Sequence, residues 1–336
     1  MTRFLPVCES ALEGLVCRQH LVDSLAATLA DYRQGQIAPI DAARIGGWVS
    51  QFPEDTHLSI LAETDHVLSR TYLKQSAFES FFSNIITDAG IVGEDARAWW
   101  ARSRFFTQQG LGRSQRELLA LFDVALLNHC GLSYHNCGEA QGRLVYIDDA
   151  VYTGMRVLND LTPTIAEAPA HSDIHLIVYA RHNQGAAYAT RELEARFRRA
   201  GKTATINWTY ELDLENNEPL NSDVLWPKSV PADAETQQYQ DTLTRAFLLR
   251  TGDSVGKNGF FSSGARRHLL EQEFLKAGAH IRAETDTLNE YARPLGNRVM
   301  QDFGFGALIV TYRNCPNGCP LVFWAGDHPL FERRNN

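Results

Sequence analysis

Two adjacent carboxylates, Asp148 and Asp149, follow four apolar residues, Leu144-Val145-Tyr146-Ile147. A short polar turn comes next, Tyr152-Thr153-Gly154, and then Met155-Arg156. Paired carboxylates can accept hydrogen bonds from vicinal sugar hydroxyls, or hold a hydrated Mg²⁺. Thr153 supplies a hydroxyl, and Gly154 lets the backbone approach a phosphate closely. A ribose with a 5′-phosphate engages all of these groups at once: the acids on the sugar, and Tyr152, Thr153, Gly154, Met155 and Arg156 around the phosphate. Arg156 can grip a phosphate bidentately.

Those residues need a strand before them and a helix after them. Leu144 to Ile147, rich in branched and aromatic side chains, reads as a buried parallel strand ending at the two acids. Val157-Leu158-x-x-Leu161 reads as the first turns of a helix. In an open α/β sheet ligands bind beyond the carboxyl ends of the strands, and helix N-terminal amides suit a phosphate. The same arrangement also ends strands in phosphate-receiver domains.

The neighbouring segments extend the sheet. Arg104 to Thr107 reads as a short strand, followed by a Gly-rich turn with Gly110, Gly112, Arg113 and Ser114, and a helix from Gln115 to Leu127. Strand, Gly-rich turn and helix make a second phosphate cradle, or a plain turn with two glycines. Asp173 to Ala180 is the next buried strand, with Arg181 and His182 at its tip, bordering the site or buried. A helix from Ala186 to Ala200, closed by Gly201, leads to a strand from Thr203 to Tyr210. This order predicts an α/β fold with a doubly wound parallel sheet.

Residues 1–100 read as a helical region and 101–336 as the α/β domain. Residues 211–236 read as a surface excursion and Thr236 to Leu249 as a helix. Thr251 to Gly264 reads as a flexible loop. Ser262 to Gly278 reads as a helix carrying Arg267, Glu271 and Glu273 as solvated charges. Ala307 to Tyr312 and Leu321 to Trp324 read as two strands around a tight turn, closing a sheet edge.

The 336 residues are 44% hydrophobic and 21% charged, as in an ordinary soluble globular protein. A net charge of −8 argues against nucleic-acid binding over the whole surface. No apolar run approaches the ~18 residues of a membrane span. The N-terminus has no apolar core of a signal peptide, so a cytoplasmic location is expected. The six cysteines are expected as free thiols. His129, Cys130, His135 and Cys137, with the pair Cys315 and Cys319, have spacings that match no standard zinc finger. His129 or His135, in a loop region, is also a candidate for substrate contact.

The stretch from Asp148 to Gly154 resembles the phosphoribosyl-pyrophosphate loop of type I phosphoribosyltransferases, which has a small hydroxyl residue where this chain has Arg156. More of the chain, roughly Ile40 to Arg333, resembles the bacterial phosphoribosyltransferase-like (PRTase-CE type) proteins of anti-phage defence loci, some retron-associated. The motifs are Trp48, Gln51 and Phe52; Gly112-Arg113-Ser114; the acidic loop; Pro294-Leu295-Gly296; Gly304-Phe305-Gly306; and a terminal block of Asn314, Pro316, Asn317, Pro320, Phe323 and Trp324. The chain departs from the pattern at Arg156 and at Gly318-Cys319.

The resemblance implies a type I phosphoribosyltransferase-like parallel sheet with an N-terminal helical extension. It implies phosphoribosyl pyrophosphate (PRPP) or a related nucleotide as ligand, and pyrophosphate at Gly110, Gly112, Arg113 and Ser114. Gly131 to Glu139 would be a short hood loop, and Mg²⁺ a cofactor held indirectly by Asp148 and Asp149. It also implies a defence role, as a transferase or nucleotide hydrolase. The alternative is a degenerate nucleotide-binding or scaffold subunit, for example partnering a retron reverse transcriptase and its DNA. An oligomer is compatible with either.

Overall fold

The computed structural model describes residues 11–107, 114–138, 143–244 and 247–334. In chain order the elements begin with α1 (Ala11–Thr28), α2 (Ala42–Val49), α3 (His57–Thr71), β1 (Tyr72–Leu73) and α4 (Gln75–Thr87). Next come α5 (Ala89–Val92), α6 (Ala96–Ala101), β2 (Arg104–Phe105), α7 (Ser114–Cys130), β3 (Leu144–Val151) and α8 (Met155–Leu161). Then follow β4 (His171–His182), α9 (Asn183–Arg199), β5 (Thr203–Thr209), β6 (Leu212–Leu214), α10 (Ala234–Asp241), α11 (Gly264–Glu284), β7 (Val310–Thr311) and α12 (Leu321–Trp324). No helix among the described residues is long and apolar enough to cross a membrane.

The chain divides into two compact units, Met1–Leu73 with Glu218–Asn335, and the intervening Lys74–Asn217. This grouping joins the first helices to the last third of the chain, which a linear division at residue 100 does not express.

The second unit is the α/β layer. Its parallel strands run β2-β3-β4-β5, and β6 continues the β5 edge by pairing with the end of β4. Leu144 to Ile147 are all buried, as a central parallel strand requires. Leu144, Tyr146, Ile174, Leu176 and Val178 pack on one face against Val157, Leu158 and Leu161 of α8 and Ala189, Leu193 and Phe197 of α9. Tyr179, one position on from Val178, faces the other way. It meets Phe78 and Phe81 of α4 at ring distances of 5.0 and 5.3 Å. Phe122 of α7 joins that layer through Phe82 and Phe105. Helices therefore cover both faces, as expected.

The first unit is mainly helical. Asp41 caps α2 by accepting from the Arg44 amide at 2.9 Å, which starts the helix that carries Trp48. Trp48, Phe52, Phe274 and Phe323 form one aromatic cluster, with Phe52 stacked on Phe274 at 5.7 Å. The Trp48 indole donates to the Val322 carbonyl and Gln51 to the His328 carbonyl. The Trp-x-x-Gln-Phe and terminal motifs are thus one packing unit. Gly296, at φ 105°, has no room for a Cβ, which would lie 2.2 Å from the Gly318 carbonyl oxygen.

Several expectations are corrected. Arg267 and Glu271 are fully buried and Glu273 is 6% exposed, so none is a solvated charge. Arg267 and Glu271 are retained inside because residues 222–254 supply partners, and Glu273 pairs with Lys276 on the same helix. Leu321–Trp324 is a helix, and β7 pairs in parallel with β1 in a separate two-stranded ribbon, so no second strand closes a sheet edge. Four apolar residues in a row fit either element. Helix α10 stops at Asp241, well short of Leu249. Ser222, Asp223, Val224 and Leu225 are buried, and Leu225 donates its amide to Gly306, so 211–236 is not wholly a surface excursion.

Candidate functional site

Strand β3 does not end at the acids but continues to Val151, with Asp148 opposite Val178 and Val151 opposite Arg181. Tyr146 and Asp148 lie on the face covered by α8 and α9, where the Tyr146 hydroxyl reaches Asp148. Asp148 is 3% exposed and Asp149 half-buried. Each carboxylate also makes a local bond: Asp148 Oδ1 accepts the Asp149 amide at 3.0 Å, and Asp149 Oδ1 accepts the Ala150 amide at 2.8 Å.

A compact polar cluster surrounds Asp148. The Tyr146 hydroxyl lies 3.0 Å from Asp160 Oδ2 and 3.3 Å from Asp148 Oδ2. The Arg156 guanidinium approaches the same two acids, with Nε 3.7 Å from Asp148 and 3.9 Å from Asp160. Gln115, at the start of α7, reaches Asp160 at 3.4 Å. Burial pushes the Tyr146 hydroxyl well above its usual range, reinforced by Asp148 and Asp160, so it stays protonated. Burial also raises the Asp160 carboxyl, against its bond from Tyr146 and the charge of Arg156. The Arg156 charge is opposed by burial but more than restored by Asp148, Tyr146 and Asp160.

The turn is held from below. Gly154 sits at φ 76° at the start of α8, where a Cβ would come 2.3 Å from the Gly185 carbonyl oxygen. A Cβ on Gly185 would lie 1.9 Å from the Tyr152 carbonyl oxygen. The loop and the start of α9 therefore touch backbone to backbone, which only two glycines permit. Thr153 is exposed, and its hydroxyl accepts weakly from the Met155 amide at 3.4 Å; Met155 is also exposed. Tyr152 lies over the His182 ring at 4.9 Å, and His182 donates from Nδ1 to the Val151 carbonyl at 3.0 Å. Complete burial, partly offset by that bond, pushes His182 down to about 4, so it is neutral near pH 7.

The structure thus brings Asp148, Arg156 and the 152–155 turn together. Gly110, Gly112 and Arg113 lie outside the described residues; Ser114 is the first residue of α7, and nothing is described of its side chain. His182 is a buried support for the loop, and Arg181 is spent on Asp213 at 2.8 Å and the Tyr210 ring at 3.7 Å. Residues 131–138 of the suggested hood loop are anchored, since Asp123 accepts from the Tyr134 amide at 2.7 Å and from Ser133. His135 lies against Tyr134, and His129 is in the last turn of α7. Among the described residues the cysteines are free thiols, and none joins a metal-holding group.

Sequence reasoning missed Tyr146, Asp160, Gln115 and Gly185. Tyr146 stands two residues before Asp148 on a strand, and Asp160 four after Arg156 on a helix, so spacing carried a signal for both. Gln115 and Gly185 carry none near the acids.

Asp148 and Asp149 offer carboxylate oxygens of the kind a hydrated Mg²⁺ takes. Arg156 supplies positive charge beside Asp148.

A sequence model of the family described as PRTase-CE matches residues 45–333. No curated protein matches the chain. No solved structure matches it either.

Proposed function

The chain belongs to the PRTase-CE family, and on that premise we propose that the turn after β3 binds PRPP or a related phosphoribosyl nucleotide. As a phosphoribosyltransferase-like protein, it has the acid-loop-helix arrangement such a ligand needs. Asp148 accepts from ribose hydroxyls. Amides of residues 153–155 and the Thr153 hydroxyl hold the 5′-phosphate. Asp148 and Asp149 would hold a Mg²⁺ indirectly, and the ion would supply positive charge toward the pyrophosphate, which Gly110, Gly112, Arg113 and Ser114 would take. Transfer breaks the C1–O bond, with the electron pair leaving on pyrophosphate. The acceptor forms a bond to C1 and gives up a proton. The charge that builds on the ribose is met by placed carboxylates rather than by a protein nucleophile. As an effector in bacterial anti-phage defence, such an activity would deplete or modify a nucleotide or essential target. The operon partner would be a reverse transcriptase with its DNA.

The observation that supports this reading is the position of Asp148. It is a buried carboxylate near the carboxyl end of a central parallel strand, followed by a turn with left-handed Gly154. Calorimetry with PRPP and Mg²⁺ tests it, on the wild type and on the Asp148→Asn/Asp149→Asn double variant. Saturable binding lost in the variant is expected. A folded wild type that does not bind PRPP sinks the reading.

One observation favours binding without turnover. Arg156 replaces the small hydroxyl residue of ordinary transferases and pairs with Asp148. Release of pyrophosphate from PRPP in the presence of candidate acceptors separates an enzyme from a sensor or scaffold.

A further inference from the structure

His280 and Glu284 stand four residues apart on α11, so both side chains leave the same face of that helix. Glu235, in the first turn of α10, comes to meet them. The His280 Nδ1 lies 3.0 and 3.1 Å from the two oxygens of Glu235. One nitrogen of His280 and one carboxylate oxygen from each of Glu235 and Glu284 lie within 4.8 Å of one another. Bonds of about 2.1 Å to a zinc ion put neighbouring donors about 3.0–3.4 Å apart. The Glu235–His280 pair already has that spacing, and a small turn of the exposed Glu284 side chain completes it.

The backbones that carry these donors are fixed by packing. Asp233 caps α10 by accepting from the Thr236 amide at 2.9 Å, and Thr236 is fully buried. The Tyr239 hydroxyl donates to the Asp302 carbonyl at 2.7 Å, holding the other end of α10. Gln272 of α11 donates to the Ser229 carbonyl, which ties the approach to α10 onto the same helix. Ala279 and Ile281, on either side of His280, are buried. Donors placed in advance lower the cost of closing on an ion.

An ion pair between the helices explains why His280 and Glu235 face each other, but it asks nothing of Glu284. Two carboxylates this near each other repel, and the Nδ1 proton of His280 serves Glu235. A divalent cation gives all three side chains one centre. The donor set also narrows the ion. Imidazole suits zinc and its transition-metal neighbours, whereas Mg²⁺ and Ca²⁺ take shells of oxygen.

We propose that Glu235, His280 and Glu284 bind a divalent ion of the zinc type, which staples α10 to α11. His280 binds through Nδ1 as a neutral imidazole with its proton on Nε2. The His280 side chain is 59% and that of Glu235 43% exposed, so the remaining coordination positions open to water.

Calorimetry with zinc chloride, in the absence of PRPP, tests the site on the full chain as wild type, Glu284→Gln and His280→Gln. Both substituted side chains are exposed, so the variants are expected to fold. The wild type is expected to bind zinc saturably. Each variant is expected to bind it at least about tenfold more weakly, because disturbing even a ligand's outer partner costs about that much. Glu284→Gln keeps the His280–Glu235 pair and so separates a metal site from an ion pair. Zinc is expected to raise the unfolding midpoint of the wild type more than that of either variant. An excess of Mg²⁺ is expected not to displace it. Equal zinc binding by all three proteins would lie on other groups, such as the cysteine thiols, and overturns the site. Wild-type affinity in Glu284→Gln alone, no saturable binding by the wild type, or displacement by Mg²⁺ overturns it too. A wild-type midpoint that zinc leaves unchanged overturns the staple. None of these outcomes depends on PRPP, so this site and the phosphoribosyl reading stand or fall separately.

Discussion

Glu271 lies between Arg250 and Arg267 much as Arg156 lies between Asp148 and Asp160, yet the two groups are built differently. Glu271 takes Arg250 at 2.7 Å and Arg267 at 2.8 Å, and all three side chains are fully buried. Further guanidinium hydrogens are directed to fixed acceptors. Arg250 donates to the carbonyls of Trp226 and Gly252, and Arg267 to those of Val224 and Ser254 and to the Ser222 hydroxyl. The Trp226 amide completes Glu271 at 3.1 Å. Around Arg156 the ion pairs are about an ångström longer and the cation is partly in water. The first group uses charge to fix chain segments 222–226 and 250–254 against α11. The second holds its cation at longer range from its acids and partly in water.

The most drastic way to break this contrast is to remove the centre of the closed network. Glu271→Gln removes the buried carboxylate that both guanidinium groups share, a loss of about 3–5 kcal/mol. Denaturant titration followed by tryptophan fluorescence measures it. A loss under about 1 kcal/mol, the range of exposed pairs, would mean that the network is not sealed from water.

The second test sharpens the other side. His182 supports the acidic turn from beneath, and burial holds it neutral down to about pH 4 against an ordinary value of 6.5. A depressed histidine binds its proton in the unfolded chain before the folded one. Stability from this group is therefore complete above pH 6.5 and declines as pH falls toward 4. The full loss is about 3 kcal/mol. His182→Asn retains a donor for the Val151 carbonyl and does not titrate in this range. Comparing unfolding midpoints between pH 7 and pH 4.5, the variant should lose less stability than the wild type. Equal losses would place His182 in contact with water in the folded state.

The legible parts of this molecule are those whose signals are local. The apolar run Leu144 to Ile147, the helix closed by Gly201 and the acids before Gly154 all stand within a few residues of what they determine. The parallel sheet followed from that order of elements. Arg267 and Glu271 were misread because charge on a helix normally faces water, and what keeps them inside comes from residues 222–254, remote along the chain. The Gly154 reading was incomplete for the same reason. Its lack of a Cβ is demanded by Gly185 on another helix, whatever ligand approaches the turn. Arg156 showed in the sequence as a departure from a pattern. Only its placement beside Asp148 and Asp160 gives that departure a physical meaning.

The smallest expected effect is the most discriminating. Tyr146→Phe removes the hydroxyl shared by Asp160 and Asp148 and changes no charge. Asp160 keeps Gln115 and the attraction of Arg156, and Asp148 keeps the Asp149 amide and Arg156. Stability should fall by about 1 kcal/mol, the worth of one hydrogen bond. The measurement is the same denaturant titration used for Glu271→Gln. A cost near 3 kcal/mol would show the Tyr146 hydroxyl to be as irreplaceable as Glu271. The polar group at the end of β3 would then be a second closed network, and its acids would be committed to the fold rather than open to exchange with a ligand.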